Sequence, residues 1–449
     1  MSEVYQPVEV RGRRPVEVVE LPGRIDPAQA LEFTYYVKTE GDLVAVTRKI
    51  AEEETTGRWI GGGTPSDLFQ SARAEAIRIE KYDRNDGVVT IRAPLENLDV
   101  EEADPYYELQ MLSVGGPILE FVYYTEVAFL DFRLPTAFAR RFPGPQWGIE
   151  GSRRFIGLPP GEPLIGTIMK PCCGMSVDEV AEKAYQAALG GCVLMKDDEK
   201  MMNPGYCPLE PKVTAVAAKL ERAYQETGRR TIYCPHLPAR TDKLLDTARR
   251  AVDWGATGLM FNVIMGNNMS ALQVVAEAHD IDVPLYAHCG GLAALTTGPR
   301  RIDARVVAKL ARLCGADYFQ IGVMDQRACH VNSLDPPLLH MLAETFWERP
   351  PLTDGPPLVI NDTVPVTAGG LGASNLGANL EAFQHPIHGF ALAPLAGTSV
   401  LDHPRGPKAG AEAMWQAYRA YRESGAKGRD ALRSWGQANN ASQLLALFS

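Results

Sequence analysis

The chain has 449 residues, more than one ordinary hydrophobic core holds, so two domains are expected. Its 45% hydrophobic and 22% charged content is that of a water-soluble globular protein. A formal net charge of −10, with lysines and arginines dispersed, argues against a nucleic-acid partner, which needs a clustered basic face.

No apolar stretch is long enough to span a bilayer, and the N-terminal MSEVYQPVEVRGRR lacks the apolar core of a signal peptide. A cytoplasmic location is therefore expected, with no membrane partner. The eight cysteines show no disulfide-like spacing and no CxxC, and a reducing cytosol keeps them as thiols.

Read in order, residues 1–150 predict a smaller mixed α+β domain. Leu31 to Thr39 alternates and is rich in β-formers, so it reads as a strand. Asp42 to Glu53 has helical spacing, with Leu43, Val46 and Ile50 on one face. Ala76 to Lys81, Val88 to Arg92 and Val127 to Phe132 read as strands, and Pro105 to Leu112 as a short helix. The Gly- and Pro-bearing run from Gly144 to Arg154 reads as the crossing into a second domain, 151–449.

Beyond Pro163 the pattern changes: short apolar runs alternate with amphipathic helices. Leu164 to Met169 precedes a helix over Val177 to Leu189, and Cys192 to Met195 forms the next strand. Thr231 to Cys234 precedes Asp242 to Trp254, and Gly258 to Val263 precedes Ala271 to Ala278. Pro284 to His288 precedes Ala304 to Leu313, and Tyr318 to Gly322 precedes a helix near Leu338 to Thr345. Val359 to Gly370 and Gly389 to Pro394 close the series, and a helical tail follows. Eight strand–helix units over about 250 residues predict a (β/α)₈ barrel of the α/β class. An open doubly wound sheet is the alternative, but no GxGxxG opens a helix here.

Barrel active sites lie at the C-terminal ends of the strands. That rule selects Lys170, Lys196, Asp198, Glu199, His236, Asn262, His288, Gln320 and Gly369-Gly370. The strongest local pattern is MKDDEK, Met195 to Lys200, at the end of the second strand. Three carboxylates behind one lysine pack poorly unless a cation sits among them, and oxygen donors of this kind suit Mg²⁺.

GEPLIGTIMKPCCGMS followed by GGCVLMKDDEKMMNP resembles the RuBisCO large-subunit superfamily. EETTGRW, FRLPTAFARRFPGPQWGIEG, AHCGG, VTAGG and GTSVLDHPRGPKAGAEA extend the likeness along most of the chain. The resemblance implies a ferredoxin-like N-terminal domain ahead of the barrel. It also implies that Lys196 takes up CO₂ as a carbamate and holds Mg²⁺ together with Asp198 and Glu199. Lys170 would then move protons to and from an enediolate, and His288 would bind or relay a proton to a substrate hydroxyl. Glu53 and Trp59 match residues that a partner subunit contributes, which implies a homodimer or an oligomer of dimers.

The departures from the family pattern are equally specific. Carboxylases carry a lysine in the sixth-strand loop, whereas this chain has none between Lys309 and Lys408. Arg327 is a poor replacement in that loop. One phosphate grip retains Trp59, Gly369, Gly370, Gly397 and Thr398, and Arg58 stands where the family has a threonine. The second grip has Cys289, Gln320 and Ala368 in place of an arginine, a histidine and a serine. The resemblance therefore places the chain with the non-carboxylating RuBisCO-like proteins, the form IV branch, and implies a substrate with one phosphate and a less polar far end.

Cys172, Cys234 and Cys289 close the first, third and fifth strands. Each reads as a small filler first and as a reactive thiol second. Cys234, His236 and Cys289 fit no standard zinc spacing. Enolase- or isomerase-type proton transfer on a monophosphorylated ketose derivative is the leading expectation. A decarboxylase or hydrolase of a phosphorylated 3-oxo sugar acid is the alternative enzyme, and a non-catalytic binding or regulatory paralogue is the alternative from another class.

Overall fold

The computed structural model describes residues 13–323, 353–354, 360–385 and 387–448. Two expectations fall outside the described residues: the sixth-strand loop with Arg327, and the helix near Leu338 to Thr345. No helix among the described residues is long and apolar enough to cross a membrane.

The chain divides into two compact units whose boundaries differ from a contiguous 1–150 and 151–449 split. The first runs to Pro143 and recruits the later segment Leu292–Leu313; the second starts at Gly144 and resumes at Cys314 and again at Asn361.

In the first unit, strands β1 (Glu17–Glu20), β2 (Ala30–Thr39), β3 (Glu75–Lys81), β4 (Asp86–Pro94) and β5 (Tyr124–Pro135) form an antiparallel sheet in the order β1-β3-β4-β2-β5. The helix Leu43–Glu53 packs on β3 and β4. Asp42 caps it by accepting from Ala45 N at 2.8 Å. Its buried face is Leu43, Thr47, Ile50 and Ala51, so Val46 is only half-buried and Thr47 replaces it. Thr47 tolerates that burial because its hydroxyl donates back to Leu43 O at 2.7 Å.

The recruited segment holds one further strand, Arg300–Ile302, parallel to β5, and the helix Ala304–Leu313. The sequence places that helix behind the fifth barrel strand, but its charges explain the attachment to the first unit. Asp131 on β5 pairs with Lys309 and Arg305, all three side chains being at most one-tenth exposed. A buried carboxylate needs such partners, and two cations hold it.

The second unit is a ring of eight parallel strands: β6 (Gly166–Ile168), β7 (Leu194–Lys196), β8 (Ile232–Cys234), β9 (Leu259–Asn262), β10 (Leu285–His288), then Tyr318–Ile321, Val364–Ala368 and Ala393–Leu395, the last pairing back onto β6. A bridge between His236 and Met260, with Leu237 N donating to Met260 O at 2.8 Å, joins β8 to β9. The ring is thus the (β/α)₈ barrel that the alternating pattern predicts, and the open-sheet alternative is excluded.

Strand contacts inside the barrel are close. A Cβ on Gly166 would lie 1.9 Å from Leu194 O, so only glycine fits there. Leu164, Ile168, Leu194, Ile232, Met260, Tyr286, Tyr318 and Val366 belong to the buried core. The run expected as the crossing into a second domain begins where the second unit begins, at Gly144, and continues as the helix Gly148–Ile156, with Ile149, Ser152 and Ile156 buried. Asp317 fixes its entry, accepting from Trp147 N and Gly148 N at 2.7 Å and from Leu285 N at 2.8 Å.

Candidate active site at the C-terminal mouth of the barrel

The ends of β6, β7 and β10 bring Lys170, Lys196, Asp198, Glu199 and His288 into one cluster. Each strand ends in the same direction, so residues one or two positions beyond the last barrel pair face a common space. Lys196 Nζ lies 3.5 Å from Glu199 Oε2, and His288 Nε2 lies 3.3 Å from the same oxygen. Lys170 pairs with Asp198 and donates to Cys172 Sγ at 3.2 Å. Lys200 N donates to Asp198 Oδ1 at 3.0 Å and holds the carboxylate in the turn.

Asp197 is not part of this cluster. Its side chain is fully buried, pairs with Lys212, and accepts from Tyr233 Oη at 2.8 Å and His236 N at 3.1 Å. Of the three carboxylates in MKDDEK, one therefore anchors the wall and two face the mouth. His236 serves the wall as well, with Nδ1 at 3.3 Å from Met201 O.

The two lysines differ electrically. Lys196 is 1% exposed, and burial pushes its amine below its ordinary pKa, against the attraction of Glu199 and Asp198. Burial also opposes the charge of Lys170, but hydrogen bonds to Asp198 and Cys172 outweigh it and raise its pKa. The surroundings thus favour the charged form of Lys170, whereas burial favours the neutral form of Lys196. Glu199 is held well below the ordinary carboxylate range, first by the hydrogen bond from His288 and then by the charge of Lys196. Burial keeps His288 below its ordinary value, so its imidazole is neutral.

Two residues around this cluster were not selected from the sequence. Tyr286, two positions before His288 on β10, stacks beside its ring with centroids 6.4 Å apart. The Lys196 ammonium position lies 5.7 Å from the Tyr286 centroid. Tyr286 Oη donates to Gln320 Oε1 at 2.9 Å, so Gln320 is tied to the wall of the site. The period of two along a strand puts residues 286 and 288 on one side, a signal that was legible. Lys212 lies mid-helix in Leu209–Thr227, where nothing in the sequence marks its burial.

Gly397 also belongs here: a Cβ on it would lie 3.3 Å from Lys170 Cγ. Thr398 opens the next short helix and is exposed. Gly369 and Gly370 follow the Val364–Ala368 strand with φ of 93° and 89°, backbone that favours glycine. Glu53, Arg58 and Trp59 belong to the first unit. Glu53 pairs with Lys49, Arg58 is exposed, and Trp59 meets Phe69 edge-on at 4.9 Å.

The thiols divide by burial. Cys234 is fully buried and its pKa is pushed up, which fits a core filler. Burial likewise pushes the Cys289 thiol up to about 12. Cys172 alone of the three touches a charged group of the cluster, Lys170.

Among the described residues, metal-ligand spacing of His, Cys, Asp and Glu occurs at Asp362, His385 and His388, at the opposite end of the barrel from Lys196. His385 Nδ1 accepts from the backbone N–H groups of Ile387 and His388, both at 3.0 Å. Its proton therefore sits on Nε2, 3.1 Å from Asp362 Oδ2. That is a hydrogen-bonded pair, since a ligating histidine needs its other nitrogen protonated.

The donor set at the mouth suits Mg²⁺ better. Asp198 and Glu199 offer carboxylate oxygens, and Lys196 stands beside Glu199 as a buried amine. Hard oxygen donors match the preference of that ion.

Residues 148–448 match the family described as ribulose bisphosphate carboxylase large chain, catalytic domain. A 3-oxo-isoapionate-4-phosphate decarboxylase of Rhizobium rhizogenes is 29% identical, the alignment covering 87% of this chain and 93% of that protein. A 2,3-diketo-5-methylthiopentyl-1-phosphate enolase of Geobacillus kaustophilus is 30% identical over 64% of this chain and 71% of its own length. The octameric ribulose-1,5-bisphosphate carboxylase/oxygenase of Pyrococcus horikoshii superposes with a TM-score of 0.80 at 26% identity, covering 96% of this chain and 95% of that one. With its barrel, its strand-end lysines and a match over most of its length, the chain belongs to the ribulose bisphosphate carboxylase large-chain family.

Proposed function

We propose that this protein is a Mg²⁺-dependent enzyme that enolises a monophosphorylated ketose or related sugar-derived carbonyl compound without fixing CO₂. The convergence of Lys170, Lys196, Asp198, Glu199 and His288 carries this reading. Asp198, Glu199 and the carbamate of Lys196 would hold Mg²⁺, which supplies Lewis-acid polarisation of a substrate carbonyl. Lys170, released from Asp198, moves the proton to and from the enolate. His288 places a hydrogen bond on a substrate oxygen.

Glycine backbone at Gly369, Gly370 and Gly397, with Thr398, would take the single phosphate. In an assembly of dimers, Arg58, Trp59 and Glu53 from the partner subunit complete the pocket. The absence of a lysine between Lys309 and Lys408 argues against carboxylation. Retention of all five charged or proton-bearing groups argues against a non-catalytic paralogue.

One observation favours a second reading, decarboxylation of a phosphorylated 3-oxo sugar acid. The Rhizobium rhizogenes decarboxylase aligns over 93% of its length. Loss of CO₂ from such an acid reaches the same enolate as loss of a proton.

Proton NMR in D₂O with Mg²⁺ and bicarbonate tests both. The probes are 2,3-diketo-5-methylthiopentyl 1-phosphate and 3-oxo-isoapionate 4-phosphate, with Lys196→Ala as control. Deuterium uptake dependent on Lys196 supports the enolase, and CO₂ release dependent on Lys196 supports the decarboxylase. Turnover that survives Lys196→Ala, or Mg²⁺ binding without any exchange across a broader panel of phosphorylated ketoses, would overturn the proposal.

A further inference from the structure

His288 ends β10, and its ring is constrained from one side by two neighbours. Gly290 N donates to His288 Nδ1 at 3.1 Å. Asn262, at the end of β9, places Nδ2 3.4 Å from the same nitrogen. The orientation of that amide is fixed independently. Asn262 Oδ1 accepts from Ile264 N at 2.8 Å and Met265 N at 2.7 Å, and Nδ2 donates to Gly290 O at 2.9 Å. An amide flipped end for end would set two N–H groups against two backbone N–H donors and an oxygen against a carbonyl. Hydrogen-bond accounting thus excludes the flip.

Both groups facing Nδ1 are therefore donors. A neutral imidazole carries one proton, and a ring nitrogen facing donors is the bare one. The proton must sit on Nε2, the nitrogen that faces Glu199 and the mouth.

The geometry leaves no slack. A Cβ on Gly290 would lie 2.8 Å from Asn262 Nδ2 and 2.9 Å from His288 Cε1. Any side chain at 290 would push apart the two residues that meet there.

We infer that Asn262 is a positioning residue which, with the backbone of Gly290, locks His288 in its Nε2–H tautomer. His288 then enters the reaction as a hydrogen-bond donor to a substrate oxygen and not as the base that removes the carbon-bound proton. Its one lone pair is turned into the wall and engaged. Deprotonation falls to the Lys196 group, or to Lys170 once it is released from Asp198 and has lost its own proton. This assignment rests on the enolising role proposed for the site, but the tautomer itself is a property of the protein without substrate.

Neutron diffraction of deuterium-exchanged crystals, or ¹⁵N spectra of histidine-labelled protein with His288→Gln for assignment, reads it directly. The expected result is hydrogen on Nε2 and none on Nδ1. Hydrogen on Nδ1 in the unsubstituted protein would overturn the inference while leaving enolisation standing.

Asn262→Asp presents an acceptor to Nδ1 and should move the proton there or protonate both nitrogens. With 2,3-diketo-5-methylthiopentyl 1-phosphate, kcat for deuterium uptake should then fall by about 10²-fold with KM little changed. Gly290→Ala is the second variant and should disturb the tautomer by displacing Asn262. A folded Asn262→Asp protein with an unchanged His288 spectrum and unchanged kcat would also refute the lock. Failure of the substrate to exchange in the unsubstituted protein, with the Nε2–H tautomer present, would count against the enolase reading alone.

Discussion

Asp197 and Asp198 are consecutive in the chain and face opposite ways. Asp197 accepts from Lys212, Tyr233 and His236 inside the barrel wall, whereas Asp198 meets Lys170 at the mouth. The pleat at the strand end turns one carboxylate inward and the next outward, and the two have separable consequences.

Lys212→Met leaves the Asp197 carboxylate buried without its cation, so it should destabilise the fold by about 3–5 kcal/mol. Asp198→Asn touches a partner that is 32% exposed and should cost about 1 kcal/mol or less. Mg²⁺ binding should follow the opposite order, lost in Asp198→Asn and kept in Lys212→Met at temperatures where that variant is folded. Urea denaturation and calorimetric titration with Mg²⁺ measure the two effects. Equal destabilisation by both substitutions would refute the division of labour.

Lys196 and Lys170 should differ in their reaction with CO₂. Only a neutral amine attacks CO₂, and burial lowers the pKa of Lys196 while Asp198 helps to raise that of Lys170. In ¹³C-bicarbonate, a carbamate resonance should appear that Lys196→Ala abolishes and Lys170→Met retains. It should also persist to lower pH than the carbamate of an exposed lysine, because the amine loses its proton earlier. A resonance surviving in Lys196→Ala would place the carbamate elsewhere.

Asp303 offers a pH-dependent stability effect in the first unit. Burial raises its pKa to about 7 from an ordinary 3.8, partly offset by Arg305 N–H and charge. Between those values the folded protein holds the proton more tightly than the unfolded chain does. Stability therefore falls as pH rises through that window. Asparagine keeps an acceptor for Arg305 N, now at 2.9 Å, and never ionises. Asp303→Asn should be more stable than the unsubstituted protein at pH 8 by about 1–2 kcal/mol and equal to it near pH 4. Thermal melts across that range would detect it. A variant destabilised equally at both pH values would mean that the carboxylate contributes by shape or charge, not by its proton.

Much of the fold was legible because period and burial coincide in a barrel. All eight strands were readable as short apolar runs, and the residues that close them led to the cluster. The helix Ala304–Leu313 was found with the correct ends, but its attachment was not. Its pairing depends on Asp131, well over a hundred residues upstream, and no local pattern encodes a long-range ion pair. Gly144 to Arg154 does open the second unit, but its glycines and proline hide a helix: Gly148 lets the backbone pass with a φ of 54° and its N–H reaches Asp317. In the site, the strand ends gave Lys170, Lys196, Asp198, Glu199 and His288. The inward turn of Asp197 and the three donors and acceptors that orient Asn262 needed side-chain coordinates.

Substitution of Cys172 tells a reactive thiol from a mere neighbour of Lys170. Its sulfur accepts from Lys170 at 3.2 Å, but the same ammonium also holds Asp198. Removing the thiol leaves the ion pair intact, so Cys172→Ala should lower deuterium uptake by less than about tenfold. Lys170→Met removes the proposed proton carrier and should lower it by about 10²–10⁴-fold. Iodoacetamide labelling followed by peptide mass spectrometry supplies a check independent of turnover. Cys173 is exposed and should label first, while Cys192, Cys207, Cys234 and Cys314 are buried and should label only on unfolding. If Cys172→Ala loses as much activity as Lys170→Met while the carbamate and the fold persist, the thiol takes part in the chemistry and the proton path runs through it.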